Sequence, residues 1–155
     1  MKAGKLLSVD KLTVYADRIV AMVSVDTKNA YTTPELAKQA LSLRPSLAYH
    51  TCINEKGPTF AAVIERTPLP HLFEHVVVDI LSQENSETFG PAAKIERTAR
   101  ANVSAENPSS DLVVGASEWL DRKAGTARVE VSYTDDLVAL AAFKSAEEFL
   151  NNMTA

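Results

Sequence analysis

Two histidines and one glutamate, His71, Glu74 and His75, have the side-chain types and the spacing of a metal centre. They lie in an apolar run that predicts a helix, and residues three and four positions apart share one face of a helix. The three side chains would therefore point toward one spot. Imidazoles are preferred zinc ligands, and a nearby carboxylate can take a proton from a water molecule that attacks a carbonyl. The pattern predicts zinc or another divalent cation on His71 and His75, with Glu74 as a general base.

A catalytic zinc site uses three protein ligands, so a third must come from elsewhere in the chain. His50 is the first candidate, because it is the only other histidine and lies in a loop that can fold over the helix. Asp136 and Glu147, carboxylates of the last predicted helix, are the fallback candidates. Cys52 would be a softer ligand, although a lone cysteine is more often a small buried apolar residue.

A simpler interpretation competes with the metal site. The pattern H-x-x-E-H, the inverted order of the zinc-peptidase motif, fixes only three positions and arises often by chance. The two histidines would then only cap and solvate the helix, with Glu74 on its surface. Two features favour the metal interpretation, namely the placement of the motif one turn into a capped apolar helix and the presence of His50.

Composition and charge narrow the classes of function. The length of 155 residues predicts one domain over residues 1–155. A net charge of −4 argues against nucleic-acid and anionic-membrane partners. No stretch approaches the ~20 apolar residues of a bilayer span, and the N-terminus has no signal-peptide core. Since Cys52 is the only cysteine, no internal disulfide can form. These features predict a cytoplasmic protein.

Helices are predicted where a hydroxyl or acidic cap precedes an amphipathic run. Thr33-Pro34 begins a helix that runs to about Leu43, and Thr67-Pro68 begins the motif helix, which ends near Gln83. The run Thr134-Asp135-Asp136 caps a final helix. Residues 46–59 are predicted as loop with a short ordered piece, and residues 60–65 are either a short strand or a helical turn.

Strands are predicted where β-branched residues alternate with polar ones. Residues 12–25 form one long strand or two strands broken near Asp17-Arg18, and residues 94–104 and 126–133 form further strands. Residues 105–111 and 123–126 are turns, and residues 112–119 are strand or irregular. The order is roughly β-α-α-β-β-α. It predicts an α+β fold with a mixed or antiparallel sheet and helices packed on one face.

Several stretches resemble the N-terminal domain of cyanophycin synthetase. They are residues 47–52 (LAYHTC), 57–60 (GPTF), 66–67 (RT), 71–81 (HLFEHVVVDIL) and 129–133 (VEVSY), the last followed by an alanine-rich helix. The similarity covers roughly residues 45–83 and 126–150. The chain departs from the family at Gly57-Pro58-Thr59-Phe60, where the family has a glycine pair before the phenylalanine, so the polymer-binding surface is expected to differ.

The resemblance implies a function. In cyanophycin synthetases this domain precedes an ATP-grasp domain and a Mur-ligase-like domain, which make the polymer and are not found in this chain. In some members the domain resembles a metallopeptidase that trims cyanophycin, a β-aspartyl-arginine polymer. The resemblance implies that His71, Glu74 and His75 form that site, with His50 at a matching position. It therefore implies a metal-dependent hydrolase of amide or isopeptide bonds in peptide-like or polymeric material, and an acidic surface would suit an arginyl substrate.

Two other functions compete with the hydrolase. The first is a non-catalytic binding or oligomerisation module derived from the same domain, which would form a homo-oligomer or dock onto a polymer. The second is a domain that has lost its ancestral role and keeps the motif for packing. The motif chemistry favours the enzyme, whereas the small size and the altered glycine segment favour the module.

Overall fold

The fold is an antiparallel sheet covered by helices. The computed structural model describes residues 4–52, 56–83 and 113–153. Within these ranges the elements in chain order are β1 (Leu7–Val14), β2 (Arg18–Val25), α1 (Pro34–Leu43), α2 (residues 69–83), β3 (Gly115–Asp121), β4 (Thr126–Ser132) and α3 (Asp136–Asn152). The strands lie in the order β1-β2-β4-β3, and every neighbouring pair is antiparallel. The predicted α+β class is confirmed, and the sheet is antiparallel in its described part.

The first predicted strand is a hairpin of two strands. The chain turns just before Arg18, where the Tyr15 N–H donates to the Arg18 carbonyl at 2.8 Å. The break near Asp17-Arg18 is therefore confirmed, but β1 begins at Leu7 rather than at residue 12. The pairing register of β1 shifts between Val9 and Lys11. Such a bulge interrupts the alternation of side chains, so the first half of β1 lacks the usual sequence pattern of a strand.

Strand β3 begins within the unsettled segment near residues 112–119, extends to Asp121, and is joined to its partner β4 by a tight turn. Gly125 occupies that turn with φ at +76°, and a Cβ there would lie 2.7 Å from the Val25 carbonyl oxygen. Both facts require glycine at this position. The predicted strand over residues 94–104 and the predicted turn over residues 105–111 lie outside the described residues.

Alternation along the two central strands separates a core face from a polar face. The buried residues of these strands on the core face are Ile19, Ala21, Val23, Val25, Ala127, Val129 and Val131. The opposite face carries ion pairs such as Arg128 Nη2 to Glu130 Oε2 at 2.8 Å. The helices cover the core face, and Phe73 of α2 meets Phe143 of α3 with ring centroids 5.8 Å apart. Helix α2 is thereby buried against both the sheet and α3.

Two of the three predicted helix caps are present, and the cap predicted at Thr67 is not. Thr33 caps α1 as predicted, with its Oγ1 accepting from Leu36 N at 3.2 Å, and Asp135 caps α3 by accepting from two backbone N–H groups. Thr67 does not cap α2 in this way, because the residue three positions on is Pro70, which has no N–H to donate. Its hydroxyl instead lies 2.8 Å from His71 Nδ1.

Residues Phe60–Ala62 form a short 3-10 turn, which decides for the helical alternative in that segment. No helix among the described residues is long and apolar enough to cross a bilayer.

Candidate metal centre

Three polar side chains of α2 form one stripe along a helix that is mostly apolar. His71, His75 and Asp79 follow one another at intervals of four residues, so they lie on one face. His75 is 5% exposed and Asp79 is 2% exposed. Buried polar groups need partners, so this stripe must be satisfied by the chain that covers it.

The covering segment comes from the residues just before α2. Residues 50–52 pair with residues 58–60, since Cys52 N donates to the Pro58 carbonyl at 3.1 Å and Phe60 N donates to the His50 carbonyl at 2.9 Å. The short 3-10 helix Pro45–Tyr49 precedes the segment and buries Leu47 completely. These contacts hold His50 and Cys52 against α2.

Cys52, His71 and His75 bring three potential ligand atoms together. His71 Nε2 lies 3.1 Å from His75 Nε2 and 3.4 Å from Cys52 Sγ, and the three ligand atoms all lie within 4.8 Å of one another. In a tetrahedral zinc site two nitrogens lie ~3.3 Å apart, and a nitrogen and a sulfur ~3.6 Å apart. The two measured distances fall close to these values. The Cys52–His71–His75 cluster could therefore hold a metal ion.

His50 occupies a different place from the one predicted for a ligand of this cluster. Its Nδ1 lies 3.0 Å from His75 Nδ1, which is the ring nitrogen opposite to the one that meets His71. Its Nε2 lies 3.0 Å from Asp79 Oδ1. Arg44 Nη1 donates to the other Asp79 oxygen at 2.7 Å, and the Ser46 hydroxyl donates to Oδ1. His50 thus links a buried carboxylate to the far side of His75.

Glu74 is buried beside the cluster. It is 6% exposed, and its Oε2 lies 3.7 Å from His75 Nε2. Burial raises the pKa of Glu74 to about 7, although a hydrogen bond with Ser117 of β3 opposes the shift. A Cβ on Gly115 would approach Glu74 Cγ to 2.9 Å, so the glycine leaves the room that the carboxylate occupies. A carboxyl group with a pKa near neutrality is suited to both accepting and donating a proton.

The electrostatics of the site favour neutral imidazoles. Burial lowers the pKa of His71. Burial, together with the neighbouring His71 and His50, lowers the pKa of His75 to about 3, although Asp79 opposes this shift. Burial by itself would raise the pKa of Asp79, but hydrogen bonds from His50, Ser46 and Arg44 leave it below its ordinary value. Neutral imidazoles offer the lone pairs that a metal ion requires.

Phe60 fixes the orientation of both imidazoles. Its ring stacks on His75 with centroids 4.0 Å apart and planes at 18°, and it meets the edge of His71 at 5.0 Å and 81°. Phe60 is completely buried. The two rings of the cluster are therefore held by a rigid apolar wall as well as by hydrogen bonds.

The cluster faces a cavity of about 600 Å³. One wall is formed by the cluster, Glu74 and the covering segment, and the other by the start of β3 with the residues before it. The described residues that line it are His50, Thr51, Cys52, His71, Glu74, His75, Val78, Ser82, Val113, Val114, Gly115, Ala116 and Ser117. A small molecule or a short peptide segment fits a cavity of this volume.

The fallback carboxylates lie elsewhere. Glu147 Oε2 accepts from Val9 N at 2.8 Å and so ties α3 to β1, and Asp136 is exposed in the first turn of α3. Cys52 was the weaker candidate by sequence. The sequence feature that indicates Cys52 is its position two residues after His50. Alternate residues of an extended segment lie on one side, so the two side chains are expected to face the same helix.

Comparison with known proteins gives one partial similarity. No model of a known protein family matches the chain. A segment of 85 residues is 33% identical to pantothenate synthetase from Thermotoga neapolitana and covers 54% of this chain. The segment spans only 30% of the length of that synthetase, which is less than a third.

Proposed function

We propose that this protein is a metal-dependent hydrolase that cleaves an amide or isopeptide bond, with zinc held by Cys52, His71 and His75. The observation that carries the proposal is the convergence of one sulfur and two imidazole nitrogens beside a buried carboxylate. The set of three protein ligands leaves a fourth position for water or substrate, as in catalytic rather than structural zinc sites.

The chemistry follows from the ligand set and from Glu74. A bound zinc ion would lower the pKa of a water molecule and polarise a carbonyl. Glu74, whose Oε2 lies 3.7 Å from His75 Nε2, would accept the proton of the attacking water. The water oxygen then bonds to the carbonyl carbon, the C–N bond breaks, and Glu74 returns the proton to the leaving nitrogen. A pKa of about 7 suits both halves of this cycle.

The substrate class rests on the resemblance to the cyanophycin synthetase domain. That resemblance favours β-aspartyl-arginine material, and the net charge of −4 is compatible with a cationic substrate. The partial similarity to a pantothenate synthetase covers too little of that protein to support its activity here.

Metal content and turnover test the proposal together. The protein is purified without added chelator, its metal is measured by mass spectrometry, and it is offered β-aspartyl-arginine and a panel of α-linked dipeptides. We expect one zinc ion per chain and cleavage of at least one peptide. Glu74→Gln should keep the metal and lose turnover, while Glu118→Gln, an exposed glutamate on β3, should keep both.

The outcomes separate the candidate functions. A protein that binds no zinc at micromolar concentrations contradicts the proposal. Full turnover in Glu74→Gln also contradicts it, because no other described carboxylate lies in the cluster wall of the cavity. A protein that binds zinc, cleaves no peptide and self-associates would be the non-catalytic module instead.

A further inference from the structure

We infer that Asp79 and His50 are positioning residues that fix His75 as the tautomer with its proton on Nδ1, so that the Nε2 lone pair points into the Cys52–His71–His75 cluster. This inference deepens the proposed function, because it assigns a role to the two buried groups behind the cluster. It rests on a continuous line of contacts from Arg44 to His75.

Asp79 is the fixed end of the line. Arg44 donates to its Oδ2 at 2.7 Å and Ser46 donates to its Oδ1, so the carboxylate is held as an acceptor on both oxygens. Its side chain is 2% exposed. An ionised carboxylate can only accept, so the His50 Nε2 atom that lies 3.0 Å from Oδ1 must carry a proton and donate it.

Charge balance then determines that the other ring nitrogen of His50, Nδ1, carries no proton. Arg44 already neutralises the carboxylate of Asp79 through a contact at 2.7 Å. A second positive charge on His50 would be uncompensated among largely buried groups, which is costly. Neutral His50 with a proton on Nε2 has a bare Nδ1, and a bare ring nitrogen can only accept.

The proton on His75 follows. His50 Nδ1 accepts, and it lies 3.0 Å from His75 Nδ1, so the latter must be the donor. His75 is neutral when its proton is on Nδ1, and its Nε2 is then bare and aimed at His71 Nε2, 3.1 Å away. Carboxylate-to-histidine contacts behind a metal ligand orient the ligand and fix its tautomer in many metal sites, here with a second histidine between them.

Thr67 supplies the matching adjustment at His71. In the metal-free protein His71 donates from Nε2 to the bare His75 Nε2, and the Thr67 hydroxyl donates to His71 Nδ1 across 2.8 Å. If the two Nε2 lone pairs were to hold a cation, His71 would carry its proton on Nδ1 and would donate it to the Thr67 oxygen. A hydroxyl suits this place because it can donate in one state and accept in the other.

Nitrogen NMR of the metal-free protein tests the inference directly. With only three histidines in the chain, long-range ¹H–¹⁵N spectra at about pH 8, where imidazoles are neutral, distinguish the two tautomers of each ring. We expect His75 to be protonated on Nδ1 and His50 on Nε2. Finding wild-type His75 protonated on Nε2 overturns the inference, whatever the variants do.

Asp79→Asn provides the decisive variant, because it keeps the shape of the side chain and can replace the acceptor Oδ1 by an amide NH₂ donor. The Ser46 hydroxyl, which donates to Oδ1 in wild type, can turn and accept from this NH₂. Arg44 can only donate, so it holds the amide oxygen at the former Oδ2 position and turns the amide NH₂ toward His50 Nε2. His50 must then carry its proton on Nδ1 and donate to His75, which moves the His75 proton to Nε2. We expect this switch in the spectra and a loss of zinc affinity of at least tenfold.

Two controls complete the design. Asp17→Asn, at an exposed aspartate, should leave both tautomers and zinc affinity at their wild-type values. Adding Arg44→Leu to Asp79→Asn lets the amide turn over and present its oxygen to His50, so the wild-type His75 tautomer should return. An Asp79→Asn protein that folds and keeps His75 protonated on Nδ1 contradicts the inference. Because the spectra need no metal, that result contradicts the tautomer assignment and does not affect the proposed hydrolase. Absence of zinc binding in wild type would contradict the hydrolase and leave the tautomer assignment unaffected.

Discussion

His50 Nδ1 and His75 Nδ1 lie 3.0 Å apart, while His75 Nε2 meets His71 Nε2 at 3.1 Å. The two contacts use opposite nitrogens of one imidazole. His50 therefore lies behind the cluster, and Cys52 is the residue that joins His71 and His75 in the group that could hold a metal ion. The two residues should differ in how strongly they affect metal binding.

Cys52→Ser should weaken zinc binding by more than about 100-fold, because it removes a thiolate ligand. His50→Gln, which removes only a group behind the ligand, should cost roughly 10- to 100-fold. Cobalt substitution provides a direct readout, since a thiolate bound to Co²⁺ gives an intense near-ultraviolet charge-transfer band. The band should be present in wild type and His50→Gln and absent in Cys52→Ser. A band that survives in Cys52→Ser would exclude sulfur as a ligand.

Phe60→Leu should lower both stability and zinc affinity. Phe60 stacks on His75 and meets the edge of His71, so the smaller side chain lets both rings turn. We expect a loss of about 1 kcal/mol in the free energy of unfolding and a several-fold loss in affinity. Phe73→Leu is the matched control, because Phe73 is equally buried but contacts Phe143 instead. It should lose stability alone, and equal affinity losses in the two variants would contradict the orienting role of Phe60.

Gly115→Ala should disturb Glu74 and leave the ligands in place. The added Cβ would lie 2.9 Å from Glu74 Cγ and 3.1 Å from Val78 Cγ2, so these buried side chains must shift. Overpacking of this kind costs about 1–3 kcal/mol. Urea denaturation should show that loss, and zinc titration should show nearly wild-type affinity. Glu118→Ala, at an exposed residue of β3 that does not line the cavity, should change stability by no more than about 0.5 kcal/mol. Wild-type stability in Gly115→Ala would contradict the close packing of Glu74 and Val78 against this glycine.

The stability of the metal-free protein should fall as pH rises through neutrality, because of Glu74. Its pKa is about 7 in the folded chain and roughly 4.3 in an unfolded one. Its contribution is thus fully present below about pH 4.3 and is lost as pH rises through 7, by at most about 4 kcal/mol. Glu74→Gln removes this loss, so the variant should be more stable than wild type at about pH 8 and nearly equal at about pH 4.

His75 acts in the opposite direction in the same experiment. Burial, with His71 and His50 nearby, lowers its pKa to about 3, so its contribution is present above about pH 6.5 and is lost as pH falls toward 3. Urea unfolding of wild type and Glu74→Gln across this range separates the two groups. Glu118→Gln, at an exposed glutamate, should follow the wild-type curve. A constant difference between wild type and Glu74→Gln at all pH values would contradict the assignment to Glu74.

The sequence predicts the motif helix well, because α2 alternates a broad apolar face with His71, His75 and Asp79. It also predicts the caps at Thr33 and Asp135, because a capping hydrogen bond joins residues that are close together in the sequence. The early start of β1 at Leu7 is not predictable in this way, because the bulge after Val9 breaks the alternation on which strand prediction depends.

The features of the site also divide into those set by local spacing, which can be predicted, and those set by the tertiary fold, which cannot. Spacing along a helix determines that His71, Glu74 and His75 meet, so that grouping could be predicted. Which nitrogen of an imidazole faces which neighbour depends on the fold of the chain that covers it. The position of His50 behind His75 could not be predicted for that reason. The contact of Thr67 with His71 depends on Pro70 and on the local backbone, which a capping rule does not describe.

The ligands of the candidate centre come from two segments of the chain, because Cys52 precedes His71 by 19 residues. An ion held by both would cross-link the covering segment to α2. The chain has a single cysteine and cannot form an internal disulfide, so a coordinate bond would take the place of one. A covalent link closing a loop of this size stabilises a fold by about 3 kcal/mol. Zinc would in that case protect the chain against thermal unfolding and proteolysis, even in a variant that has lost Glu74 and every trace of turnover.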